Sequence, residues 1–297
     1  ENEVVCLDNF ATGKKENISD LKGNPKFKLI EGDIRDPEAC RKAVRGVDVV
    51  LHQAALGSVP RSIADPATTN AVNIDGFLNM LIASRDAGIK RFVYASSSSV
   101  YGDSPELPKV EERTGKVLSP YAVTKLVNEE YARVFGSLYS METVGLRYFN
   151  VFGRRQDPNG PYAAVIPKFT IAFMKHESPV INGDGSNSRD FTYIDNVVLA
   201  NNLAATAENP AAFNQAYNVA CGDAVNLNEM TLLLRRYLAE NDPEIASVNP
   251  QHGPNRAGDI PHSMASVGKA VRLLGYKPQV LFSEGLRRAV EWYVDNL

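Results

Sequence analysis

The stretch VVCLDNF, residues 4–10, begins with an apolar run and reaches its first acid at Asp8. Such a run reads as a strand of a nucleotide-binding α/β unit. The acid then sits at the carboxyl edge of the sheet, where it hydrogen-bonds the ribose hydroxyls of an adenine nucleotide. In that unit the acid follows a glycine fingerprint by about 20 residues, and the fingerprint itself follows a first strand. Seven residues precede Asp8, which leaves room for neither. Either Asp8 is a turn residue or the sequence starts inside a domain.

Working outward, short β-rich runs alternate with helical patterns. Residues 3–8, 26–33, 47–54, 91–96 and 141–149 read as strands, and 37–44, 65–88 and 121–139 carry apolar residues near a 3.6 period. Alternation of this kind predicts βαβ units and a Rossmann-like, doubly wound, mostly parallel α/β sheet. After about residue 150 the rhythm changes. Gly and Pro crowd into GRRQDPNGP (153–161), and helical patterns recur at 196–207, 227–239 and 283–296, the second behind the N-cap candidate Asn226. The expected division is a dinucleotide-binding domain over 1–150 and a smaller substrate-binding lobe over 151–297, with segments returning to the first domain.

Composition narrows the class. The chain has 297 residues, 44% hydrophobic and 23% charged, which is ordinary globular usage rather than disorder or coiled coil. A net charge of −3 with mixed signs offers no electrostatic footprint for nucleic acid or an anionic membrane. No apolar run approaches the roughly 20 residues that span a bilayer. Cys6, Cys40 and Cys221 are far apart without a CxxC pair, which argues against a disulfide framework or structural zinc and for a reducing, cytoplasmic location. His52, His176, His252 and His262 lack metal-ligand spacing and read as packing and surface residues, so no metal is expected.

Chemistry concentrates in two places. SPYAVTK (119–125) sets Tyr121 and Lys125 four residues apart on one helix face. An ammonium near a phenol favours the phenolate, which makes Tyr121 a candidate general base; the alternative is an exposed Tyr and Lys on an ordinary helix. YASSSSVYG (94–102) ends a predicted parallel strand in consecutive hydroxyls, at the edge where α/β sheets bind ligands. Small residues in HQAALGSVP (52–60) let backbone approach a ligand, and GDIRD (32–36) places Asp33 after another strand.

Taken together, HQAALGSVPRSI (52–63), SPYAVTK, GLRYFNVFGRRQDPNGPYAAVIPKF (145–169) and INGDGSNSRDF (181–191) resemble the extended branch of the short-chain dehydrogenase/reductase family. Within it the likeness is to nucleotide-sugar 4-epimerases, in particular bacterial UDP-N-acetylglucosamine 4-epimerases of surface-polysaccharide biosynthesis. The resemblance implies NAD as cofactor, a UDP-sugar substrate and a homodimer. It makes Tyr121 the base, Lys125 its electrostatic partner and nicotinamide-ribose ligand, and Ser97 the catalytic hydroxyl, with Ser98 and Ser99 as accessory contacts. It puts Asp8 at the adenosine ribose, Asp33 and Ile34 at the adenine, Ala54 and Ala55 along the cofactor cleft, and Asn73 near the cofactor as a structural residue. Asn150, Arg189 and Arg256 match positions that hold the diphosphate, and arginine suits phosphate because its planar fork binds oxygens in pairs. Ser263 falls beside the sugar's carbon-2 substituent, where a small residue admits an N-acetyl group.

With that pattern intact, Asp8 is expected at the end of a second strand. The given sequence is then expected to start inside the first βαβ unit, about 30 residues or more into it. The implied reaction interconverts UDP-N-acetylglucosamine and UDP-N-acetylgalactosamine through a transient 4-keto sugar, and the UDP-glucose/UDP-galactose pair stays open as a further substrate. Two alternatives stand beside it. A 4,6-dehydratase or decarboxylase needs an acid next to the catalytic hydroxyl, where this chain has serines. A non-catalytic nucleotide-sensing module has no need of the Tyr121/Lys125 pair.

Overall fold

The computed structural model describes residues 2–158, 164–255 and 261–297. The strands are β1 (Val4–Asp8), β2 (Phe27–Glu31), β3 (Val49–His52), β4 (Arg91–Ser97), β5 (Glu142–Tyr148), β6 (Val151–Phe152), β7 (Val180–Asn182), β8 (Ser188–Arg189), β9 (Thr192–Tyr193), β10 (Gln215–Val219), β11 (Val225–Asn226), β12 (Gln251–Gly253) and β13 (His262–Ser263). The helices are α1 (Pro37–Ala43), α2 (Val59–Ala64), α3 (Pro66–Asn70), α4 (Phe77–Asp86), α5 (Pro120–Tyr139), α6 (Val165–Met174), α7 (Ile194–Thr206), α8 (Leu227–Ala239), α9 (Gly268–Leu274) and α10 (Phe282–Asn296).

The chain divides into two compact units, one of residues 1–102, 114–147 and 201–217, the other of 103–113, 148–200 and 218–297. Relative to a boundary at 150, residues 103–113 join the second unit and 201–217 the first. The first unit holds parallel strands as the alternation predicts: β1 pairs with β2, and β3 pairs with β4 in a sheet of order β10-β5-β4-β3. One continuous sheet was the simplest expectation, but the described strands form two.

Local chemistry fixes the helix that matters most. Ser119 caps α5 by accepting from Ala122 N at 3.1 Å, Pro120 occupies the first turn, and the helix stops where Ser140 turns left-handed at φ 54°. Helix α8 starts in a capping box between Asn226 and Glu229. The expected single helix over 65–88 is instead α3, a π-helical turn over Ala71–Gly76, and α4. Two tertiary demands fall on that widened turn. Asn73 is buried and bonded to another loop, and Gly76 packs so closely on Ile34 that a Cβ would lie 2.6 Å from its side chain.

Each unit has its own core. Phe77, Leu81, Phe92, Tyr94, Val50 and Cys40 fill the first, and Phe152, Phe173, Phe191, Tyr193, Phe282 and Leu286 the second. Truncating a residue such as Phe92, wholly buried, to Ala would cost about 3–5 kcal/mol. His52 belongs to this packing: it stacks on Phe92 and meets Phe77 edge-on, and burial holds it neutral with a pKa pushed down to about 3.

Candidate active site

Strand β4 and helix α5 bring Ser97, Tyr121 and Lys125 together at the carboxyl edge of the first unit's sheet. The Ser97 hydroxyl lies near enough to the Tyr121 phenol to lower its pKa, and Ser97 Oγ accepts from Ser99 N at 3.1 Å, which caps the short turn Ser98–Tyr101. Gly102 ends that turn at φ +52°, where a side chain would run into the Lys116 carbonyl, so the glycine of VYG is a steric requirement. Ser99 Oγ is buried with no hydrogen-bond partner, an arrangement that costs about 1–3 kcal/mol unless a ligand atom satisfies it.

The electrostatics differ from the sequence-based expectation. Lys125 is 4% exposed, its Nζ donates to the Ala95 carbonyl at 2.8 Å, and it lies 6.0 Å from the centre of the Tyr121 ring. Burial pulls its pKa down to about 8, opposed by Glu129. Burial likewise pushes the Tyr121 phenol up, and it is the Ser97 hydrogen bond that lowers it.

Asn73 joins this cluster through the loop after β3. Its Oδ1 accepts from Leu56 N at 2.8 Å, and its Nδ2 donates to the Leu56 carbonyl and to Thr124 Oγ1. Ala54 is exposed and Ala55 half-buried in the same loop.

At and just past the ends of β1 and β2 stand the two carboxylates expected at the adenosine, Asp8 and Asp33. Asp8 is half-buried, accepts from Phe10 N at 2.7 Å, and is approached by Gly13, which leaves room beside its carboxylate. Asp33 is gripped by Arg35 at 2.7 and 3.0 Å and by Asn9 at 2.7 Å, and the Arg35 bonds hold its carboxyl well below the usual range. The Ile34 side chain is buried in the core, and its carbonyl accepts from Asn79.

In the second unit, β8 lies between β11 and β13, and the parallel register sets Ser263 directly beside Arg189. Arg189 Nη1 is anchored on the carbonyls of Ser188 and Pro261. Asn150 adopts φ 36°, a conformation asparagine tolerates, and its Nδ2 donates to the Asp190 carbonyl at 3.2 Å. Asn150, Arg189 and Ser263 thus gather around one short strand, whereas Arg256 lies outside the described residues.

Sequence reasoning missed the residue that binds this group together. Asp190, fully buried, accepts from Cys221 N at 2.9 Å, Gly222 N at 3.0 Å and Ala265 N at 3.2 Å. Its only signal was its place next to Arg189. Among the described residues no group of three or more His, Cys, Asp or Glu side chains is arranged to hold a metal ion.

Parallel strands with a hydroxyl–phenol–ammonium cluster at their carboxyl edge define a nucleotide-binding α/β enzyme. Comparison with known proteins makes the class specific. Residues 1–220 match the NAD dependent epimerase/dehydratase family. The UDP-glucose 4-epimerase of Mycolicibacterium smegmatis is 33% identical over 292 residues, covering 98% of this chain and 90% of that protein. A solved UDP-N-acetylglucosamine 4-epimerase of Methanobrevibacter ruminantium, in complex with UDP-N-acetylmuramic acid, matches at TM-score 0.92 and 38% identity, covering 100% of this chain and 92% of that one. A UDP-glucose 4-epimerase of Thermus thermophilus in complex with NAD matches at TM-score 0.84 and 32% identity, covering 99% and 92%. The chain belongs to the NAD dependent epimerase/dehydratase family; its cofactor is NAD and its reaction class is isomerisation.

Proposed function

We propose that this enzyme interconverts UDP-N-acetylglucosamine and UDP-N-acetylgalactosamine by inverting carbon 4, in the service of surface-polysaccharide synthesis. The observation that carries the sugar choice is the pairing of Ser263 with Arg189. Facing residues of paired parallel strands project to one side, so a guanidinium suited to diphosphate has a small serine beside it rather than a bulky wall. The likeness to a UDP-N-acetylglucosamine 4-epimerase at 38% identity supports the same reading.

In this reading Asp8 accepts from the adenosine ribose, the Asp33–Ile34 segment and Ala54–Ala55 flank the dinucleotide, Asn73 supports the cleft, and Tyr121 and Lys125 reach the nicotinamide ribose. Bound NAD supplies a reversible hydride acceptor for carbon 4. Tyr121, hydrogen-bonded to Ser97, takes the proton of the carbon-4 hydroxyl and returns it to the 4-keto oxygen once the sugar has turned over. Ser98 and Ser99 contact the sugar, Asn150, Arg189 and Arg256 hold the diphosphate, and Ser263 borders the N-acetyl group. A homodimer in the cytoplasm completes the proposal, and light scattering tests the dimer.

The direct test is turnover of four UDP-sugars by the purified enzyme with NAD. The acetylated pair should be interconverted, with no 4-keto-6-deoxy product. Turnover of the unacetylated pair alone would defeat the sugar assignment, and an elimination product would make the enzyme a dehydratase.

A further inference from the structure

Helix α5 carries a third group on the face of Tyr121 and Lys125. Glu129 follows Lys125 by four residues, so the three side chains succeed one another along one stripe. Its side chain is 11% exposed and that of its partner Arg147, on β5, 6%. Arg147 Nε donates to Glu129 Oε1 at 2.8 Å and Nη2 to Oε2 at 2.7 Å, a forked pair. The same Oε1 accepts from Ser96 Oγ at 2.5 Å. Ser96 is 2% exposed and immediately precedes Ser97 on β4.

Stability is a weak reason for this arrangement. Taking both charges out of water costs several kcal/mol, and a well-packed apolar pair of similar volume is commonly as stable or more so. Geometry is a stronger reason. Ser97 ends strand β4 and Tyr121 lies in the first turn of α5, so how the two side chains meet depends on how β4 and α5 are placed. Only directional bonds fix such a placement to a few tenths of an ångström, and Glu129 is bonded to β4 through Ser96 and to β5 through Arg147.

We propose that Glu129 is a positioning residue for the reaction, which through Ser96 holds the Ser97 hydroxyl at the Tyr121 phenol. The inference rests on the epimerase reading of Ser97 and Tyr121. Glu129 also sets a negative charge toward Lys125, which further faces Tyr121 on its own helix and the neutral His52 on β3. Arg147 on β5 neutralises the far side of that carboxylate.

Glu129→Ala would strand the buried Arg147 charge and destabilise the fold, so the test uses Ser96→Ala, which removes only the bond to β4. Two readouts are taken. The first is kcat and KM on the UDP-sugar turned over best. The second is the carbon-13 resonance of labelled tyrosine Cζ in the resting enzyme, Tyr121 being assigned by its loss in Tyr121→Phe. A displaced Ser97 should lower kcat at least about tenfold with KM within about twofold, since small misplacements of reacting groups cost rate rather than binding. It should also move the Tyr121 resonance, which senses hydrogen bonding at the phenol. A Tyr121 resonance coincident with wild type overturns the proposal, as does kcat within about twofold of wild type. A wild-type enzyme inactive on every UDP-sugar would sink the epimerase reading, and the resonance would still decide this one.

Discussion

Asn73 and Thr124 stand 51 residues apart and meet side chain to side chain, Nδ2 donating to Oγ1 at 3.1 Å. Thr124 in turn donates to the Tyr121 carbonyl at 2.8 Å, and Asn128 donates to the Asn73 carbonyl. One asparagine on a π-helical turn therefore ties the loop after β3 to the first turns of α5. Asn73→Ala removes the partner of Leu56 N and two donors at once. It should destabilise the protein by about 1–3 kcal/mol, the cost of stranding buried polar groups, and lower turnover because the base sits on the released turn. Urea unfolding measures the first effect, and a loss below about 0.5 kcal/mol would show that water replaces the amide without penalty.

The base is tested by removing one oxygen. Tyr121→Phe keeps the ring and its packing, so binding of UDP should change little while turnover drops at least about 100-fold, as loss of a general base does. Retention of more than a tenth of wild-type turnover would take Tyr121 out of the mechanism.

Asp190 gives a pH signature. Burial raises its pKa to about 6, against the three backbone N–H bonds that lower it. Unfolded, the group titrates near 3.9, so between the two values the folded chain binds the proton more strongly. Its contribution to stability is full below about pH 4 and is lost as pH rises to about 6, a swing of about 3 kcal/mol. Asp190→Asn removes the titration. The unfolding free energy of wild type minus that of the variant should fall by about that amount from about pH 3 to about pH 7, read from urea melts at each pH. Parallel curves would mean that the buried carboxyl does not titrate there.

Strands β1 to β5, α5 with its Tyr121/Lys125 pair, and the capped start of α8 were legible, because local pattern and local capping determine them, whereas β10 of the same sheet was not read as a strand. What escaped was set by partners distant in the chain. The break at 71–76 follows from bonds of Asn73 to Leu56 and Thr124, which no helical period encodes. Ser96 read as one of four consecutive strand-end hydroxyls with no role of its own, yet its partner is a carboxylate 33 residues on. Asp190 looked like the neighbour of an arginine, and its partners lie 31 to 75 residues away. The Tyr121 phenol read as a group beside an ammonium, and what the sequence does not encode is its burial, which pushes its pKa up.

The sugar pocket provides the sharpest test of substrate choice. Ser263 occupies the strand position beside Arg189, its carbonyl accepts from Asp190 N at 2.9 Å, and its small side chain is half-buried. Substitution there leaves the backbone pairing intact, since that uses N–H and C=O alone. Ser263→Tyr should therefore fold and keep its affinity for UDP, while the added ring fills the space that the proposed function assigns to a carbon-2 N-acetyl group. Turnover of the acetylated pair should be abolished, and that of UDP-glucose and UDP-galactose spared or improved. Arg189→Ala is the control for the neighbouring position. Removing the guanidinium should weaken UDP and UDP-sugar alike by about 1.5–3 kcal/mol, the range for hydrogen bonds to charged groups. Equal losses on both sugar pairs in Ser263→Tyr would indicate general disruption of β13, and no loss on either would place Ser263 away from the sugar.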